Sequence, residues 1–258
     1  MNTTAAGFAV FALSLSACGA DLQITTSGGD VVEDGIGEAA FVDGGRVLFS
    51  KFLIAFGDIE VSVGDGSEGT GFAPQQVFDV QQAGPHDVTV VGGLESRRYE
   101  DLRVVVGAAS EASANVNADD TDFDAMKAAG ASLAVGGTVT HDGVSKTFDW
   151  AFTTQTRYQD CRLQDTSVGV VVPGQWELTV HGGRLFRDRL DDDADLRSAA
   201  VVAADDNDDG DVSLDELSAL TLPGDYAGDV DTLGAFVIAQ TRGLVHHSGN
   251  GSCVALKL

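Results

Sequence analysis

Between residues 41 and 187 the apolar positions come in short runs that alternate with polar ones, the period expected of half-buried strands. The pattern predicts strands at 46–56 and 59–63, parted by a Gly57-Asp58 turn, and shorter ones at 77–80, 87–91 and 102–107. A short helix is expected at 123–129, after the acidic stretch 119–122. The segments 132–141 and 147–154 read as a hairpin about Asp142-Gly143, and 168–172 and 176–180 flank Pro173-Gly174. Near Asp188 the alternation stops. Helical spacing takes over at 194–204, 214–220 and 229–244, and alternation returns at 253–258. The fold class these elements predict is mainly β. It is an antiparallel β-sandwich over 41–187, a helical segment over 188–245, and a C-terminal strand over 246–258 that completes the sandwich.

Composition agrees with this reading. Of the 258 residues, 32 are Gly and 31 are Asp, residues that favour turns and disfavour helix interiors. The formal net charge is −25. A field of that sign repels phosphate, so no nucleic-acid partner and no charge-driven membrane binding are expected, and cations are favoured.

Residues 1–17 read as a secretory signal, whose apolar run is too short to span a bilayer. Leu15-Ser16-Ala17-Cys18 resembles the bacterial lipoprotein lipobox, although no Lys or Arg follows Met1. The resemblance implies cleavage before Cys18, lipid on Cys18, and, with Gly19 next, the outer membrane or cell surface of a Gram-negative bacterium. Residues 18–40 then read as a lipidated N-terminus and flexible linker. With Cys18 lipidated, Cys161 and Cys253 remain, an even pair expected to form a disulfide in an oxidising compartment. Thiolate metal ligation is the competing reading, without CxxC spacing to support it.

The sharpest motif is 205–216, DDNDDGDVSLDE. With Gly210 sixth, Asp205, Asn207, Asp209, Asp211, Ser213 and Glu216 fall at positions one, three, five, seven, nine and twelve, and apolar Val212 at eight. The chemistry demands this spacing. Ca²⁺ takes 6–8 oxygens, alternate side chains converge on it, a glycine permits the sharp turn, and a carboxylate from the following helix closes the shell. The segment resembles the EF-hand family. The resemblance implies calcium bound by Asp205, Asn207, Asp209, the Asp211 carbonyl, Ser213 and Glu216. EF-hands usually pair, and no second loop is visible; 225–231 is acidic but lacks a glycine at the sixth position and a closing Glu in register. A lone hand implies a structural clip or modest site, with Kd of about 10⁻⁴–10⁻³ M.

His181, His246 and His247 form a second candidate set, for copper or zinc, with Asp188 as an optional further ligand. Val180-His181-Gly182, residues 249–253 and the strand at 99–107 resemble secreted copper-binding proteins of the methanobactin-associated type, which implies metal handling. No nucleophile elbow, phosphate loop or HExxH signature appears, so no enzymatic activity is expected. A hydrolase sited in sandwich loops, or a carbohydrate-binding module using Trp150 or Trp176, stands as the alternative. The reading with most support is a non-enzymatic, calcium-binding, lipid-anchored envelope protein in which calcium orders the helical segment against the sandwich.

Overall fold

The structure is a computed structural model and describes residues 19–62, 70–72, 75–162, 170–249 and 251–258. The expected signal segment and Cys18 lie outside the described residues. In chain order the strands are β1 (Ala20–Ser27), β2 (Arg46–Ser62), β3 (Thr70–Phe72), β4 (Gln76–Asp79), β5 (His86–Leu94), β6 (Arg98–Tyr99), β7 (Asp101–Val106) and β8 (Ala114–Asn115). They continue with β9 (Leu133–His141), β10 (Val144–Phe152), β11 (Thr156–Arg162), β12 (Val170–Val171), β13 (Gly174–Val180), β14 (Val245–His247) and β15 (Ser252–Lys257). The helices are α1 (Gly29–Glu33), α2 (Asp120–Ala129), α3 (Ala199–Val202), α4 (Leu214–Ala219) and α5 (Leu233–Gln240). The chain is therefore mainly β, as its alternation predicts.

Two larger sheets carry the fold. One is four-stranded in the order β14-β13-β1-β5; the other is nine-stranded, with the path β10-β9-β2-β7-β11-β15 and β3, β4 and β8 attached beside β2. Both sheets contribute to one apolar core, Leu22, Ile24, Trp176 and Leu178 from the first and Phe52, Ile54, Phe148 and Trp150 from the second. A smaller cluster lies around α2, where Met126 packs with Leu53, Ala55, Val77 and Ala134. Alternate residues of β2 thus serve different clusters, which is why its middle is a continuous apolar run. The C-terminal strand pairs antiparallel with β11, and Cys161 and Cys253 form a disulfide between them.

Several expectations are corrected. Gly57-Asp58 is a bulge inside one 17-residue strand: Asp58 has φ 46°, and the pairing with β7 shifts register between Gly57 and Glu60. The expected linker contains β1, which lies between β13 and β5 and buries Leu22, Ile24 and Thr26 completely. Its pairing with β13 is parallel, as is that of β4 with β8, so neither sheet is wholly antiparallel. The expected helix at 194–204 shrinks to α3. The Asp43 carboxylate accepts the N–H groups of Ser198 and Ala199 at 2.7 and 2.8 Å and fixes the start there, while Leu196 bridges to Phe41 and Arg187. The helix expected from 229 starts at Leu233, capped by Thr232, because Thr221 and Thr232 form a β-bridge just before it.

Candidate metal centre

The segment 205–216 follows α3 and runs into the first turn of α4, beside β10, the edge strand of the nine-stranded sheet. Its backbone is set by its own side chains. Asp205 Oδ2 accepts the Gly210 N–H at 3.0 Å, Asn207 Oδ1 that of Asp209 at 2.8 Å, and Asp209 Oδ1 that of Asp211 at 2.8 Å. These bonds fold the chain into successive tight turns. Gly210 takes φ 90°, a conformation that side chains resist, and Asp208 takes φ 58°. Ser213 caps α4 in a capping box: its Oγ accepts the Glu216 N–H at 3.2 Å, and Glu216 Oε2 accepts the Ser213 N–H and O–H at 2.8 Å each.

The loop is fastened to the sheet through β10. The Thr147 N–H donates to Gly210 O at 2.9 Å, and the Val212 N–H donates back to Thr147 O at 2.8 Å. The Thr147 hydroxyl reaches Asp211 Oδ1 at 2.8 Å, and the Trp150 indole N–H donates to Val212 O at 2.7 Å. The apolar eighth position, Val212, is wholly buried. The edge of β10 thus supplies the β-bridge to the Gly210–Val212 stretch, with no second loop involved.

Two oxygens stand out. Asp205 Oδ1 and Glu216 Oε1 are buried and have no hydrogen-bond partner among the described residues. A buried carboxylate oxygen without a partner is unfavourable, and it is suited to receive a cation. The Asp205 side chain is 0% exposed, and its Oδ2 is paired with the Lys146 ammonium. That bond, with the Gly210 N–H and against burial, holds the Asp205 carboxyl below the usual carboxylate range. The Ser213 N–H and O–H do the same for Glu216. The donor set is all oxygen, which suits a hard cation such as Ca²⁺. As they stand, no three His, Cys, Asp or Glu side chains converge tightly enough to hold an ion among the described residues. Asn207 and Asp209 have side-chain oxygens turned to the backbone, and Lys146 engages Asp205.

The histidine set separates. His181 and His246 stack with ring centroids 4.1 Å apart, each bonded through Nε2 to a backbone carbonyl, of Gly249 and Gly243. Burial, then the neighbouring His181, pushes His246 down to about 4; burial also lowers His181. His247 follows His246 on β14, so its side chain takes the opposite direction and packs edge-on against Trp176. Asp188 is bound to Arg197 Nε at 2.9 Å. A three-histidine set is therefore not assembled.

A serine–histidine contact does occur outside the sequence expectations. Ser198 Oγ lies 3.2 Å from His141 Nδ1, with Asp142 3.5 Å beyond the other ring nitrogen. Ser198 is 0% exposed, lies 3.2 Å from Asp43 and begins α3, so this cluster closes a helix end and presents no nucleophile. Trp150 and Trp176 are both buried and offer no stacking face to a sugar.

Sequence reasoning missed Lys146, Thr147 and the Trp150 indole as parts of the site. Lys146 shares its strand parity with Phe148, Trp150 and Phe152, all buried. A lysine on the inward face of a strand is the signal that could have marked it. No protein-family model, curated protein or solved structure matches the chain.

Proposed function

We propose that this chain is a calcium-binding protein of the bacterial cell envelope, exported and held by lipid on Cys18. In this reading the loop 205–216 is a single EF-hand, and calcium fixes the helical segment against a two-sheet, sandwich-like framework. The observation that carries the proposal is the pair of buried carboxylate oxygens without a partner among the described residues, Asp205 Oδ1 and Glu216 Oε1, at the first and twelfth positions of a calcium-type loop. When bound, the ion supplies a divalent charge that offsets the mutual repulsion of Asp205, Asp209 and Glu216. Asp205, Asn207 and Asp209 present side-chain oxygens, Asp211 its carbonyl, and Ser213 its hydroxyl or a water it holds. Glu216 keeps the start of α4 in place through Ser213 and offers its second, buried oxygen. The role is structural or adhesive and not catalytic.

Calorimetric titration of the metal-stripped protein with Ca²⁺ tests this, with Cu²⁺ and Zn²⁺ as controls. One calcium per chain is expected, with affinity at least about tenfold weaker in Glu216→Gln, which lacks the closing carboxylate. Unchanged affinity in that variant, or tight copper or zinc uptake without calcium binding, overturns the assignment.

A further inference from the structure

Asp205 is served by a cation that belongs to the chain itself. Its side chain is fully buried, one oxygen is shared between the Lys146 ammonium and the Gly210 N–H, and the other has no partner among the described residues. Lys146 is not placed there by the wandering of a long side chain. Its neighbour Thr147 exchanges backbone hydrogen bonds with Gly210 and Val212, which fixes β10 against the loop one residue away. Among the described residues the Lys146 side chain is 16% exposed and has Asp205 as its ion-pair partner. A buried carboxylate left without a counter-charge is strongly unfavourable, so the lysine is what permits the loop to close without a metal.

We propose that Lys146 is a built-in counter-cation of the calcium loop, and that it and Ca²⁺ exclude one another at Asp205. The inference rests on the calcium reading above and adds the residue that sets the site's affinity. An ammonium and a divalent ion at one carboxylate repel across a few ångströms, so binding requires Lys146 to swing toward solvent. The consequence is a loop that closes without metal but is held more tightly with it, and a calcium affinity weakened by the competition. Calcium uptake releases a positive charge at the sheet edge.

Two measurements test it on the full chain. In the first, Ca²⁺ is titrated into wild type, Lys146→Met, which keeps the alkyl stem without the charge, and Lys146→Arg, which keeps the charge. Lys146→Met is expected to bind calcium about tenfold more tightly, because affinity follows the charge count at the site, and to melt at lower temperature than wild type when metal-free. Lys146→Arg is expected to bind no more tightly than wild type. In the second, the side-chain signals of the four lysines are followed by NMR in wild type, without any substitution. Calcium should move the Lys146 signal and leave Lys51, Lys127 and Lys257 in place. If wild type binds calcium but Lys146→Met binds equally or less tightly, or the Lys146 signal does not respond at saturation, Lys146 is not a competitor and the calcium reading stands. If neither wild type nor Lys146→Met binds calcium, the calcium reading itself falls.

Discussion

At the residue scale, a few charged or titratable side chains sit where solvent cannot serve them. The spacing of Asp205, Asn207, Asp209, Ser213 and Glu216 is visible in the sequence because a loop motif of this kind is local in sequence. Lys146 was not legible in the same way. It lies 59 residues from Asp205, and only the strand pairing brings them together. The stacked histidines follow the same rule: His181 and His246 meet because β13 and β14 are paired, with Thr179 opposite His246. His246 is pushed down to about 4, from an ordinary value of 6.5, by burial and then by His181. The folded chain therefore keeps it neutral while the unfolded chain takes up a proton below about pH 6.5. The unfolded state binds more protons in that window, so folding stability falls as pH drops from 6.5 toward 4. Urea unfolding of wild type and His246→Gln at pH 7 and pH 4.5 checks this. The variant should lose less stability across the interval, and an identical loss in both proteins would contradict the assignment.

At the element scale, the strands with apolar alternation were readable, and the misreadings have definite causes. Ala20–Ser27 is rich in polar residues and looked like a tether. Yet Leu22, Ile24 and Thr26 share one parity, and pairing on both sides makes the strand central. Gly57-Asp58 carries a turn composition, but flanking pairings with β4, β7 and β9 keep β2 running through it as a bulge. The helix before the loop, α3, is short because tertiary bonds from Asp43 and the bridges of Leu196 compete with helix propensity. Beyond the loop, α4 and α5 pack so closely at Gly234 that an added Cβ would lie 2.7 Å from the Ser218 backbone nitrogen. The link from loop to core is Trp150, whose indole N–H holds the Val212 carbonyl. Its fluorescence should change when calcium loads the loop, and Trp150→Phe should abolish that change. The variant leaves the Val212 carbonyl unpaired, which is worth about 1–3 kcal/mol of stability. A calcium-dependent signal of full size in Trp150→Phe would place the reporter at Trp176 and break the proposed link.

At the scale of the molecule, a net charge of −25 is held on a framework whose two sheets share one core and whose last strand is tied to β11 by the Cys161–Cys253 disulfide. In a chain-entropy description, closing a loop with a sequence separation of 92 contributes about 4–5 kcal/mol. The disulfide is thus a brace that does not involve the acidic loop. Metal binding should tighten the loop and its helices while leaving the sheets as they are. Mainly-β character followed from alternation, whereas the mixed parallel and antiparallel topology did not, because pairing partners such as β1 and β13 lie roughly 150 residues apart and local pattern carries no record of them.

Amide hydrogen exchange, measured on the metal-stripped protein with and without saturating Ca²⁺, addresses the central claim most directly. Slower exchange on calcium binding is expected at Gly210, Val212 and the amides of α4 and α5. Unchanged protection is predicted in β1, β9 and β13. Equal exchange at Gly210 and Val212 in both states, or protection spread evenly over the sheets, would contradict it.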